Sequence, residues 1–342
     1  MIRLLRPLFL ILALAAAPAL AKPKPPAATA PARMLAERAK QAKNADPATQ
    51  FALGLDYRNG TGGVPRDAAQ AYKWIRLAAA GNLAEAQYAA GTMDAAGEGT
   101  PRKLTDAADW FRKASKQGHL KATILLADMC RDGTGTAVDL IQAARLYRIA
   151  AERNDMHSIV ALANAYLHGE GVPKSAVDAA NWLRRAAWLG NANGRYRLAL
   201  VLFDGDPATH PVAHRPSRNG IEAAFWLRAA AEQNYAPAQY SLGMAHYGGI
   251  ALPLDRTQAL DWIGRAANQG YAPALRQLAF FYRTGRLTSK DPLRALMYLE
   301  IADQMGDQRA RREREEAIRD IPAAQQQLAK KRAQEWLSER GL

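Results

Sequence analysis

Between residues 46 and 307 the apolar positions follow a helical spacing that restarts at a fixed interval. The octapeptides "LGLDYRNG", "AGTMDAAG", "LADMCRDG", "LANAYLHG", "LALVLFDG", "LGMAHYGG" and "LAFFYRTG" end at Gly60, Gly97, Gly133, Gly169, Gly205, Gly249 and Gly285. Their spacing is 36 or 37 residues, except for 44 between Gly205 and Gly249. Each carries a Leu, a small residue and an aromatic or apolar residue on one face and closes on glycine, which predicts a first helix and its turn. A polar residue then opens a second helix: Asp67, Lys103, Asp139, Ser175, Asn219, Asp255 and Asp291. Six of these are good N-caps; three residues on stand Gln70, Asp106, Gln142, Asp178, Glu222, Gln258 and Arg294, several of which suggest capping boxes. The second helices end near Gly81, Gly118, Asn154, Gly190, Asn234, Gly270 and Gly306.

Two columns of small residues predict how the helices pack. The second helix has alanine three positions before Trp74, Trp110, Leu146, Trp182, Trp226, Trp262 and Tyr298. In the first helix Gly54, Gly91, Ala127, Ala163, Ala199, Gly243 and Ala279 form one column. Side chains this small let two backbones approach, and the expectation is that the aromatic residue fills the remaining space as core.

Leu-Gly-x-x-Tyr-x-x-Gly-x-Gly-Val in the first helix and Ala-x-x-Trp in the second resemble the Sel-one-like repeats, a branch of the tetratricopeptide-like solenoids. "LGLDYRNGTGGVPRDAAQAYKWIRLAAAGN" and "ANAYLHGEGVPKSAVDAANWLRRAAWLG" carry the resemblance best. It implies an all-α, right-handed αα superhelix of seven helix–turn–helix repeats of about 36 residues over 44–307, acting as an adaptor, often in bacterial envelopes. The family brings no general catalytic residues. A cysteine-rich branch pairs cysteines across each repeat and is linked to β-lactam binding; with Cys130 alone, this chain departs from it. Copies five to seven also lose the Gly-x-Gly-Val turn. Residues 308–342 read as two C-terminal capping helices, the last with a thin apolar face of Leu328, Trp336 and Leu337 and a solvated arginine-rich surface.

Charge and composition change the picture mainly at the front. "MIRLLR", the apolar run "PLFLILALAAAP" and Ala-x-Ala at Ala19–Ala21 predict a signal peptide over 1–21, cleaved after Ala21. No cysteine lies near that point, so a lipoprotein is excluded, and no other stretch is apolar enough to span a membrane. The expected location is the periplasm or the outside of the cell. Residues 22–43 are basic and rich in Pro and Ala, the composition of an extended linker. The formal net charge of +14 could attract polyanions. An exported protein meets little nucleic acid, which leaves anionic polysaccharide or peptidoglycan as the alternative to a protein partner.

Candidate binding positions are where the repeat is broken or its surface varies. "DGDPATHPVAHRPSRNG" lengthens copy five and gathers Asp204, Asp206, His210 and His214. His-x-x-x-His suits zinc on a helix, but Pro207, Pro211 and Pro216 argue against a helix there. The stretch is a partner-contacting loop or a neutral insertion. His168 stands at a position that varies among copies and belongs to a turn. Trp188 falls where most copies are polar, so it either meets a partner or covers the "GNANG" junction after it. Opposite the first-helix core stripe run Phe51, Tyr88, Ile124, Val160, Tyr196, Tyr240 and Arg276, beside Leu55, Thr92, Asp128, Asn164, Leu200, Met244 and Phe280. In an αα solenoid first helices line the concave groove, so Phe51, Leu55, Tyr88, Tyr196, Leu200, Tyr240, Met244 and Phe280 are candidate partner-binding residues. The competing expectation is that the first column packs on the adjacent repeat. No Gly-x-Ser-x-Gly, His-Glu-x-x-His or Walker loop occurs, and no catalytic residue, metal or cofactor is expected. The sequence therefore reads as an exported, non-catalytic scaffold for envelope proteins.

Overall fold

A computed structural model describes residues 37, 39–204 and 220–342. The described chain is an αα solenoid built from helix pairs. The pairs are α1 (Pro47–Asn59) with α2 (Ala68–Ala80), α3 (Ala84–Ala96) with α4 (Leu104–Lys116), and α5 (Leu120–Asp132) with α6 (Leu140–Glu152). Then follow α7 (Met156–His168) with α8 (Ala176–Trp188), and α9 (Ala192–Asp204) with α10 (Gly220–Ala231). Next come α11 (Ala236–Gly248) with α12 (Arg256–Asn268) and α13 (Ala272–Thr284) with α14 (Pro292–Gln304). Two further helices, α15 (Gln308–Ala317) and α16 (Ala323–Arg340), close the end.

The local signals act as read. Gly60, Gly97, Gly133, Gly169, Gly249 and Gly285 cap the first helices with φ between 63° and 76°, the left-handed region that glycine enters without a Cβ penalty. Asp67, Asp139, Ser175, Asp255 and Asp291 accept backbone N–H groups of their second helices. Lys103 makes no such cap, and Asn219 lies outside the described residues.

The capping boxes do not close. The N-cap N–H that a box would satisfy is already spent on the first helix of the same repeat. Asp67 donates to the Tyr57 carbonyl, Lys103 to Asp94, Asp139 to Cys130, Ser175 to Tyr166 and Asp291 to Tyr282, each at 2.8 Å. Two of the residues at the reach-back position accept from tryptophans instead: Trp226 Nε1 donates to Glu222 at 3.3 Å and Trp262 Nε1 to Gln258 at 3.1 Å. The first repeat also shifts its second-helix end by one residue. Asn82, with φ 64°, takes the left-handed position, whereas Gly81 has φ −74°.

The packing assignment needs a larger correction. The small first-helix column does not face the aromatic residue but the residue after it. A Cβ on Gly54 would stand 2.6 Å from Ile75 Cγ1, one on Gly91 2.6 Å from Phe111 Cε1, and one on Gly243 2.6 Å from Ile263 Cγ1. Ile75, Phe111, Tyr147, Leu183, Leu227, Ile263 and Leu299 are all buried and form the deep axis of the core. Trp226 and Trp262 are buried too, but Trp74, Trp110 and Trp182 are half-buried. Three of the five tryptophans carry a cation on the ring: Lys113 Nζ sits 4.3 Å above Trp110, the Arg185 guanidinium 6.0 Å above Trp182 and the Arg265 guanidinium 4.5 Å above Trp262. Cys130 is buried, and burial pushes its thiol pKa up, as for a small core residue.

Both ends are covered. Of residues 22–43 only the last part is described: 39–43 are helical, and Ala42 is buried in the first core cluster with Leu53 and Tyr57. At the other end α16 lies along α14 and buries Ala329, Ala333 and Leu337, while Leu328 stays exposed. Alanine supplies most of this contact because it lets the capping helix approach closely. The arginines here hold the cap in place. Arg276 donates to Asp307 at 3.0 Å and Glu313 at 3.3 Å; Arg314 pairs with Glu300 at 3.0 Å and Asp303 at 3.2 Å.

Candidate interaction surface

The first-helix column expected to line the groove joins one repeat to the next. Tyr88 stacks on His119, ring centroids 4.5 Å apart; Tyr196 meets Tyr235 edge-on at 5.5 Å; Tyr240 meets Tyr271 at 5.7 Å. His119, Tyr235 and Tyr271 are the N-cap residues of the following first helices. Arg276 repeats the contact in charged form with Asp307, the N-cap of α15. Phe51 and Leu83 both pack against the first core cluster. Burial pushes the Tyr240 phenol pKa up and that of Tyr271 to about 12.

These side chains are nevertheless half-exposed, as are Leu55, Leu200, Met244 and Phe280 in the neighbouring column. The eight first-helix candidates thus occupy equivalent positions, with one edge packed and one open. Trp188 stands apart from them. It is 76% exposed at the end of α8, and its ring meets Trp226 edge-on at 5.2 Å. It covers Trp226, which lacks the basic residue three positions on that screens Trp110 and Trp262. His168 is exposed in the last turn of α7. His210, His214 and the rest of 205–219 lie outside the described residues. Among the described residues no three His, Cys, Asp or Glu side chains converge as a metal site.

Two cavities open beside α5. One, of about 430 Å³, is lined largely by Ala95, Leu104, Phe111, Leu125 and Met129, with Thr92 and Asp128 at its edge. The other, of about 250 Å³, is the more polar of the two and lies between α5, α7 and the start of α9, lined by Arg131, His157, Asn164, Asn191 and Asn193 with Met156, Val160 and Ala161. Asp128 forms the ridge between them. It accepts from the Tyr147 hydroxyl at 2.6 Å and from His157 Nε2 at 2.9 Å, and pairs with Arg131 at 3.4 Å. Burial, with the Asp128 bond, pushes the Tyr147 pKa far up. Asp128 and Asn164 belong to the variable column read from the sequence, whereas His157, Asn191 and Asn193 escaped it. The signal was "GNANG", a junction with two asparagines between two glycines, which reads as irregular until its contacts are seen.

The Sel1 repeat model matches residues 47–83, 84–119, 120–155, 157–191, 192–235, 236–271 and 272–307. Among solved structures, a Sel1 repeat protein from Oxalobacter formigenes aligns with TM-score 0.59 and 26% identity, over 78% of this chain and 100% of its own. A protective antigen of uropathogenic Escherichia coli with an SLR fold aligns with TM-score 0.40 and 24% identity, over 90% and 79% of the two chains. An immunity protein of Pseudomonas aeruginosa aligns with TM-score 0.38 and 21% identity, over 65% and 81%. No curated protein matches. Among the described residues no helix is long and apolar enough to cross a membrane.

Proposed function

Because the chain belongs to the Sel1 repeat family, we propose that it is an exported scaffold that binds proteins of the cell envelope along its first-helix face. The observation that carries this reading is the set of contacts joining four of the first helices to the start of the next, Tyr88–His119, Tyr196–Tyr235, Tyr240–Tyr271 and Arg276–Asp307. The same side chains keep an open edge, so the surface from Phe51 to Phe280 is preformed. A partner then binds without first ordering the protein, which saves the entropy that weakens flexible sites. Solenoids of this family are typically non-catalytic, and we read this chain as a binding module rather than an enzyme. Export rests on residues 1–21; N-terminal sequencing of the protein recovered from the periplasm should begin at Lys22.

The test is a cross-linked capture from envelope extract with residues 22–342 as bait. The tyrosines also join repeats, so the comparison bait carries Leu55→Gln, Leu200→Gln and Met244→Gln, with an unchanged circular dichroism spectrum. A stoichiometric protein partner lost from the comparison bait is the expected result. Equal capture by both baits removes the groove assignment. Recovery of glycan alone, steeply salt-dependent and lost on deleting 22–43, would instead establish an envelope polysaccharide- or peptidoglycan-binding protein.

A further inference from the structure

We propose that the polar cavity between α5, α7 and the start of α9 is a carboxylate-binding subsite for a partner peptide, and that the apolar cavity across α5 receives a side chain of the same peptide. The inference rests on the scaffold reading and locates its contact in the second to fifth repeats.

The argument starts from three amides. Asn164 Oδ1 accepts from Arg197 Nη1 at 3.2 Å, and Asn193 Oδ1 accepts from Arg197 Nε at 2.9 Å. Asn191 Oδ1 caps α9 by accepting from the Gly194 N–H at 2.7 Å. A guanidinium and a backbone N–H can only donate, so all three amides are fixed with the carbonyl end turned to the protein. The Nδ2 groups are left for the cavity, and among the described residues none of them meets an acceptor. Three side chains from two successive repeats therefore present donors to one space of about 250 Å³.

Charge selects the acceptor. Arg197 has no carboxylate partner among the described residues, and its bonds polarise two of the amides, strengthening their N–H groups as donors. Asp128, the nearest acid, is occupied by Tyr147, His157 and Arg131, and Asp132 is paired with Arg131 at 2.7 Å. A neutral carbonyl would use the donors alone; a carboxylate also meets the positive charge that Arg197 places behind two of the amides.

The second cavity sets the rest of the peptide. It lies one first helix away, and packed helix axes stand about 10 Å apart. An extended chain covers that in about three residues. The peptide carries an apolar side chain about three residues from a carboxylate, which is either a side chain or the chain terminus.

Two methionines make the test direct, because Met129 lines the apolar cavity and Met156 the polar one. The mature chain is labelled with ¹³C at the methionine methyls and titrated with synthetic peptides. Two are blocked octapeptides of alanine with Leu and Glu three residues apart, in either order. A third has Leu three residues before a free C-terminal carboxylate. Controls replace Glu by Gln, or the terminal carboxylate by an amide. The expected result is a joint shift of the Met129 and Met156 signals, with Met297 and Met305 unmoved. Binding should weaken at least tenfold for the Gln or amide peptide. Octapeptides and free-terminus peptide together separate a side-chain from a terminal carboxylate.

The decisive variant is Asn164→Asp with Asn193→Asp. Each Asp keeps an oxygen for Arg197 but turns the cavity-facing donor into an acceptor, so the fold survives while binding falls at least tenfold. Unmoved Met156 with every probe, or equal binding by the variant, overturns the subsite. A protein captured from envelope extract equally by wild type and by this variant overturns the subsite and leaves the scaffold reading standing. Capture of no protein at all would sink that reading first.

Discussion

Repeats two to four and repeats six and seven close the same inter-repeat turn with different chemistry. In the front group the second turn glycine rests on the start of the preceding second helix. Gly99, Gly135 and Gly171 have φ of 71°, 72° and 71°, and a Cβ on them would stand 2.0, 2.3 and 2.0 Å from the carbonyl oxygens of Ala68, Leu104 and Leu140. Backbone there touches backbone, and only glycine fits. In the sixth repeat Ala251 holds the place with φ 56° and packs its methyl against the core; in the seventh Leu287 does so with a larger side chain. Charge joins units at both ends: Arg58 pairs with Glu98 in the second repeat's turn at 2.6 Å, and Arg276 and Arg314 clasp the cap to the last repeat. One turn motif thus carries two solutions. Where the second turn residue has no side chain, it rests backbone on backbone; where it has one, the side chain packs on the core instead.

Substitution at the front turn should break this contrast most strongly. Gly171→Ala combines left-handed strain with a Cβ inside contact distance of the Leu140 carbonyl, a loss of about 3 kcal/mol. Thermal unfolding followed by circular dichroism checks it, and a loss below about 1 kcal/mol would mean the turn relaxes freely and the main-chain fit matters little. Next comes the rear clasp. Arg276→Met should cost about 2 kcal/mol, since it strips a half-buried charge-assisted bond from Asp307. Hydrogen exchange should quicken in α13–α15 and stay unchanged in α3–α8; a uniform change would contradict separate modes of joining.

Acid should sharpen the comparison without any mutation. Burial pushes the Asp307 carboxyl up, but the N–H groups of Ala310 and Arg309 and the Arg276 guanidinium outweigh it and hold its pKa below the ordinary aspartate value. A depressed pKa gives stability that is present above the unfolded value of 3.8 and lost as pH falls through the folded one. Exchange protection at the rear should therefore drop below about pH 4 before that of the turns at Gly135 and Gly171, where the close contact is glycine against a main-chain carbonyl. Simultaneous loss at both ends would refute the contrast. The smallest effect belongs to Ala251→Gly. It relieves about 1 kcal/mol of left-handed strain and gives up a partly buried methyl worth about 0.8 kcal/mol, so stability should move by less than about 0.5 kcal/mol. A loss well above that would show the methyl to be a principal joint of the sixth repeat.

Trp188 shows that a sequence departure marks a position without naming its neighbour. Its singular position suggested a partner contact or a structural cover, and its edge-on contact with Trp226 supplies the structural half of that choice. The first-helix tyrosines show the opposite limit. Their spacing placed them on one helix face correctly, yet nothing along the chain says that Tyr88 meets His119, thirty-one residues on.

By itself the sequence determined the seven repeats, the glycine turns, the N-caps and the small-residue columns, because each is set by contacts within a few residues or by a backbone angle only glycine adopts readily. The tertiary structure decided what those columns meet: the residue after each aromatic as deep core, Tyr88 on His119, Arg197 behind Asn164 and Asn193. Those partners lie on other elements, and the rotation and stagger of one helix pair against the next choose them. Periodicity along a single helix fixes which face is turned inward, but not which side chain waits across the gap.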